Sequence, residues 1–131
     1  MKQRENISSG TIWEDKVGYS RAVKVDDLIE ISGTTAVNGT EIVAAGDPYE
    51  QTKFIIEKFS SVLEEAGSSL KDIIRVRIYV REITDWEKVG KAFSEYFKDI
   101  KPAATLIEVN SLIDPQLLAE MEATAIITEQ S

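Results

Sequence analysis

The chain contains no cysteine and no histidine, and only 3 prolines and 7 glycines among its 131 residues. Without cysteine there is no disulfide framework, thiolate zinc site, iron–sulfur cluster or cysteine nucleophile. Without histidine, Ser-His-Asp and Cys-His catalysis and imidazole metal sites fall away, together with the one side chain that titrates near neutrality unaided. Acid–base chemistry is left to carboxylates, tyrosine, lysine and water, and a carboxylate base acting near neutrality needs its pKa raised by burial. Positive charge is also short. With 15 Lys and Arg against 23 Asp and Glu the net charge is −8, which repels phosphate backbones and anionic lipid, so neither nucleic acid nor a membrane is an expected partner. No apolar run reaches the roughly 18 residues of a membrane span, and the start, Met1 to Asn6 and then Ile7-Ser8-Ser9-Gly10, has no apolar signal core. A soluble, cytoplasmic protein is expected, folded as a single domain over 1–131 with an ordinary globular composition of 43% hydrophobic residues.

Hydrophobic periodicity divides the chain into alternating and helical stretches. Residues 19–25 and 28–34 read as the arms of a hairpin around Asp26-Asp27, and Asn38-Gly39 is a turn signal from which 41–44 pairs back as a third short strand. Asp47 and Pro48 then suit an N-cap and first helical position, with Gln51 near the place of a capping-box partner. The helix that follows has Tyr49, Thr52, Ile55, Ile56, Phe59, Val62, Leu63 and Ala66 on one face and stops at Gly67. In the strand at 73–80, Ile74, Val76, Ile78 and Val80 alternate with Arg75, Arg77, Tyr79 and Arg81. A second helix begins at Thr84 or Asp85, carries Trp86, Val89, Ala92, Phe93, Tyr96 and Phe97, and ends before Lys101-Pro102. Strands at 104–109 and 117–128 complete a β-β-β-α-β-α-β-β order. The expected architecture is α+β, a six-stranded sheet with two helices packed on one face. The other face needs a partner, so an oligomer is expected.

There is no Walker loop, G-x-G-x-x-G, EF-hand spacing or zincin helix, and therefore no metal or cofactor is expected. The adjacent acids Glu14-Asp15, Asp26-Asp27 and Glu64-Glu65 read as solvated charges. More informative are Glu120 and Glu122, two apart on the last strand and thus on one face, among Ala119, Met121 and Ala123. Two readings stand: ion pairing with Arg75 and Arg77, or a carboxylate of raised pKa that moves protons.

The segments Pro102-Ala103-Ala104-Thr105-Leu106-Ile107-Glu108-Val109 and Leu118-Ala119-Glu120-Met121-Glu122-Ala123-Thr124-Ala125 resemble the signature of the Rid family, the reactive-intermediate deaminases also called YjgF proteins. Gly18-Tyr19, Ile31-Ser32-Gly33 and Ala66-Gly67-Ser68-Ser69-Leu70-Lys71-Asp72-Ile73 extend the likeness over nearly the whole chain. The resemblance implies a chorismate-mutase-like fold in a homotrimer whose sheets line a barrel, with small-molecule clefts between subunits. It also implies a site of tyrosine, serine-glycine, arginine and glutamate that hydrolyses 2-imino acids to 2-oxo acids and ammonia without a cofactor. Tyr19, Ser32, Gly33 and Glu120 match those positions, Glu120 as the catalytic carboxylate. The arginine does not, because Ala104 stands in its place, and Gly90 replaces an asparagine of the second helix. The loop from Pro102 to Glu120 is one residue longer than in the arginine-bearing branch. A methyl group makes no bidentate contact with a carboxylate. Arg21 is the first candidate for a substitute ligand-holding cation and Lys101 the second, while Trp13 is a candidate wall of the cleft. Two functions follow: a cofactor-free imine or enamine hydrolase, or a trimer that binds a metabolite without turnover.

Overall fold

The computed structural model describes residues 3–128. Met1, Lys2, Glu129, Gln130 and Ser131, which the single-domain reading includes, lie outside them. The elements are β1 (Arg4–Ile7), α1 (Ile12–Val17), β2 (Ala22–Val25), β3 (Leu28–Thr35), β4 (Val37–Asn38), β5 (Glu41–Ile42), α2 (Pro48–Glu65), β6 (Ile73–Val80), α3 (Trp86–Phe97), β7 (Ala103–Glu108) and β8 (Ala119–Ile126). Six strands form one sheet in the order β1-β2-β3-β8-β6-β7. Every pairing is antiparallel except β6 with β7, which α3 joins by a crossover and which therefore run parallel.

The helices α2 and α3 pack on one face of this mixed sheet. Ile55, Ile56, Phe59 and Leu63 of α2 and Val89 and Phe97 of α3 are buried against Ile29, Ile31, Val76, Val80 and Met121. Each such side chain contributes about 1.5–3 kcal/mol by leaving water. In β8 every second residue, Ala119, Met121, Ala123 and Ala125, is buried on this face. The intervening Glu120, Glu122 and Thr124 join Glu30, Ser32, Arg75, Arg77 and Tyr79 on the opposite face, where side chains are half-buried or exposed. At the end of α2, Gly67 takes φ 81°, the left-handed turn that lets the Ser68 N–H reach back to the Leu63 carbonyl at 2.7 Å.

The strand count agrees with expectation, but its membership does not. The stretch at 41–44 forms only the small β4–β5 hairpin outside the main sheet, and the sixth strand is β1. An edge strand of sequence Arg-Glu-Asn-Ile buries only Ile7, so it shows no alternation to read. The strand expected from Tyr19 starts at Ala22, and α1 precedes it unannounced. A bulge between Ile73 and Arg75 shifts the phase of β6, burying Ile73 and leaving Ile74 exposed. Gln51 is not a capping-box partner. The cap is the Asp47 carboxylate, which accepts from the Glu50 N–H at 3.1 Å. Gln51 is instead fully buried, its amide donating to the carbonyls of Val43 (3.2 Å) and Gln116 (3.0 Å) and accepting from the Leu118 N–H (2.8 Å). It ties the loop before α2 to the entrance of β8.

Two acids are buried, Glu14, which the sequence suggested to be solvated, and Asp72. Glu14, at 4% exposure, accepts from the hydroxyls of Ser8, Ser9 and Thr11 and from the Ser9 N–H. Asp72, also at 4%, accepts from the Ser68 hydroxyl and from the N–H and hydroxyl of Thr128. Burial pushes both carboxyls up, but these donors outweigh it and hold both below their ordinary values of 4.5 and 3.8. The unfolded chain therefore takes up protons first on acidification, so the stabilisation is complete above those ordinary values and disappears as the pH falls through the folded ones. Glu14→Gln and Asp72→Asn are each expected to cost about 1–3 kcal/mol at neutral pH. Each is also expected to flatten the acid loss of stability, measured by urea unfolding between about pH 7 and about pH 2.

Candidate functional site

The register between β3 and β8 runs from Ile31 opposite Ala123 to Thr34 opposite Met121, so Ser32 and Gly33 together face Glu122 in a β-bulge. Four hydrogen bonds brace it. The Ser32 N–H donates to the Arg21 carbonyl at 3.0 Å, and the Ser32 hydroxyl to the Ser20 carbonyl at 2.7 Å. The Thr34 hydroxyl donates to the Ser32 carbonyl at 2.8 Å, and the Arg21 Nη2 to the Gly33 carbonyl at 2.6 Å. Both donors of Ser32 are thus taken up within the fold.

The Glu120 carboxylate rests on Gly33. A Cβ at that glycine would lie 2.2 Å from Oε2 and 3.3 Å from Cδ of Glu120, so any larger residue there displaces the carboxylate, and no special φ is involved. Glu120 is half-buried, with Thr35 of β3 and Tyr79 of β6 as its register partners. Burial raises its pKa above the ordinary 4.5; the Arg21 guanidinium pulls it down, and Glu122 pushes it up again. Tyr79 donates its hydroxyl to Glu122, and that bond, with burial, raises the phenol's own pKa. Of the arginines expected to meet these acids, Arg77 lies opposite Glu122 in register, while Arg75 donates to the Thr105 hydroxyl at 2.6 Å.

Tyr19, Arg21, Ser32, Gly33 and Glu120 therefore come together around one bulge. Arg21 is only 5% exposed, and its guanidinium stands 5.7 Å from the centroid of the Tyr19 ring. Tyr19 is 38% exposed. Trp13 is half-exposed on α1, a helix that turns its acid Glu14 inward and its apolar Ile12, Trp13 and Val17 outward. Ala104 stands apart, exposed on the edge strand β7 and in register with Val76, on the face opposite to Glu120. Lys101 is exposed just before β7, and the space beside Gly90 in α3 is open. Sequence reasoning overlooked Tyr79 as the partner of Glu122. Its alternation with Arg75 and Arg77 placed it on the right face, but only the pairing of β6 with β8, which sets Tyr79 opposite Glu120 and diagonal to Glu122, brought its hydroxyl within reach. Glu30, Ser32, Arg77 and Glu122 border a hollow of about 260 Å³ on this face. A larger one of about 430 Å³ lies away from these groups, between the start of α2 and Lys88 and Lys91 of α3. Among the described residues no acidic group has the arrangement of a metal site, and no helix is long and apolar enough to cross a membrane.

The family model described as Endoribonuclease L-PSP matches residues 13–127. A RutC family protein of Pyrococcus abyssi is 41% identical over 108 residues, 82% of this chain and 84% of that protein. The 3-aminoacrylate deaminase RutC of Acinetobacter baylyi is 31% identical over 108 residues, 82% of this chain and 85% of that protein. A crystal structure of a YjgF/YER057c/UK114 family member from Mycobacterium tuberculosis aligns with a TM-score of 0.87 at 38% identity, covering 95% of this chain and 100% of that one. The chain belongs to the Endoribonuclease L-PSP family, known also as the YjgF or Rid family. Its mixed sheet with helices on one face is the chorismate-mutase-like fold of those relatives.

Gly33→Ala separates the site from the fold. The atom in the way is the free end of a flexible side chain, so unfolding free energy is expected to change by less than about 1 kcal/mol. The Glu120 carboxylate must nevertheless move, and any turnover that depends on it is expected to fall at least about tenfold, read from thermal melts and initial rates side by side.

Proposed function

We propose that this protein is a cofactor-free hydrolase of small imines or enamines, acting in the cytoplasm as a homotrimer with its clefts between subunits. The observation that carries the reading is the half-buried Glu120 carboxylate, set on Gly33 with its pKa raised by burial. A carboxylate so shifted is a better base near neutrality than one in water. In the proposed reaction an enamine takes a proton from water on carbon and becomes its iminium ion, leaving hydroxide. Glu120 then takes a proton from a second water as that water's oxygen attacks the iminium carbon, giving a neutral carbinolamine. Glu120 returns that proton to nitrogen, and as the carbon–nitrogen bond breaks the hydroxyl proton passes to the hydroxide, releasing ammonia and leaving a carbonyl compound. The name of the Acinetobacter baylyi relative, a 3-aminoacrylate deaminase, supports this class of reaction.

The trimer is supported by the polar sheet face, by the exposed apolar side chains of α1, and by the exposed Tyr19 ring beside Arg21. In such an assembly Tyr19, Trp13, Gly33 and Glu120 would line one side of the cleft, and the exposed edge carrying Ala104 is the candidate for the other. The methyl group of Ala104 favours a second reading, in which the cleft binds a metabolite without turnover. A nuclease is not proposed despite the family's description, because Glu30, Glu120 and Glu122 share the face in question and the net charge is −8.

The test is ammonia release from 3-aminoacrylate and 2-imino acids generated in situ, with sedimentation velocity to establish whether the mass is three times 14.6 kDa. Turnover above the uncatalysed rate, reduced about a hundredfold or more in Glu120→Gln, is the expected result. Saturable binding with no ammonia would establish the second reading. The same variant has a stability signature. A carboxyl whose folded pKa is raised costs stability as the pH rises above 4.5, so Glu120→Gln is expected to melt higher than the parent at neutral pH.

A further inference from the structure

We propose that Arg21 is a positioning residue for Glu120: its buried guanidinium locks the Ser32–Gly33 bulge on which that carboxylate rests, and supplies the positive charge that faces it. The inference rests on the reading of Glu120 given above and reassigns Arg21 from holding a ligand to organising the base.

Three observations carry it. Arg21 is 5% exposed and gives Nη2 to the Gly33 carbonyl at 2.6 Å, so a ligand would have to break that bond and open the fold to be gripped by the same nitrogen. Gly33 is also the residue against which Glu120 lies, so one residue joins the guanidinium to the seat of the carboxylate. Lastly, the Arg21 Nε–H has no hydrogen-bond partner among the described residues. A neutral amide would brace a carbonyl without burying a charge that is incompletely paired. A full positive charge at this place has a use if it acts on a neighbouring anion, and Glu120 feels it.

The surrounding charges fit this division of labour. Glu120 also faces Glu122 on its own strand and the phenol of Tyr79 on β6. From the helix layer, Lys58 of α2 donates to the Val37 carbonyl at 3.0 Å, its ammonium pKa lowered by burial and then by Arg21. Glu14 of α1 offsets that repulsion. Removing the Arg21 charge leaves Glu120 with burial and Glu122, both of which favour its neutral form.

The experiment compares the full-length parent with Arg21→Lys, Arg21→Gln and Arg21→Met, each first checked for folding by thermal melt. The carboxyl carbon of Glu120 is titrated by ¹³C NMR, its signal assigned with Glu120→Gln. The titration midpoint is expected to move upward in the Gln and Met variants and to return towards the parent in the Lys variant. A residue that only holds the backbone in place would give Gln the parent's midpoint, and that result overturns the proposal, as does an upward shift that Lys does not reverse. In ammonia release, Gln is expected to lower kcat about tenfold or more, with KM within about threefold. A raised KM with unchanged kcat makes Arg21 a ligand clamp and also overturns it. Full activity of Glu120→Gln would refute the proposed function instead, and the carboxyl titration, which needs no substrate, would still decide whether Arg21 governs Glu120.

Discussion

The bulge at Ser32–Gly33 sets two residues of β3 against one of β8, and this mismatch in register determines how the polar face of the sheet is arranged. It bends a strand whose other side is fixed by Ile29 and Ile31 in the core, and it brings a backbone lacking Cβ under the Glu120 side chain. The Thr34 hydroxyl and the Arg21 guanidinium bond the Ser32 and Gly33 carbonyls of the bulge, and the Ser32 hydroxyl ties it to the Ser20 carbonyl of the adjoining segment. Because the opposite face of the same strands is packed against α2, the carboxylate is positioned by the core itself and not by a loop.

This geometry has a cost in stability. A carboxylate partly withdrawn from water beside another carboxylate opposes folding at neutral pH, and so does a buried guanidinium whose Nε–H has no partner among the described residues. The hydrophobic layer between the sheet and its two helices offsets both. Glu14 and Asp72 behave differently: also buried, they are surrounded by hydroxyl and N–H donors and so strengthen the fold as anions. Buried and half-buried acids in one small domain thus take opposite pKa directions according to the donors around them, and the one with no such donor among the described residues, Glu120, stands at the candidate site.

Much of the fold was legible because periodicity is a local property. The two long helices, the strands at β3, β6 and β8, and the caps at Asp47 and Gly67 follow from spacing and turn chemistry. Where the reading failed, the information was not local. Nothing in Arg-Glu-Asn-Ile marks a strand until β2 offers it an edge. The acid of α1 looks solvated until Ser8, Ser9 and Thr11 fold over it. Ile74 belongs to the apolar face by alternation, yet a bulge turns it outward.

At the site, the polypeptide's order of residues already determined that no histidine or cysteine would act, that Glu120 and Glu122 share a face, and that alanine occupies position 104. Those facts depend on composition and on the two-residue repeat of a strand, which hold in any fold that makes the segment a strand. Only the tertiary structure decided that Glu120 sits on Gly33, that Arg21 is buried against the Gly33 carbonyl, and that Ala104 faces away from both. These are matters of register and burial between segments far apart in the chain, and the forces that settle them arise once the sheet has closed against its helices.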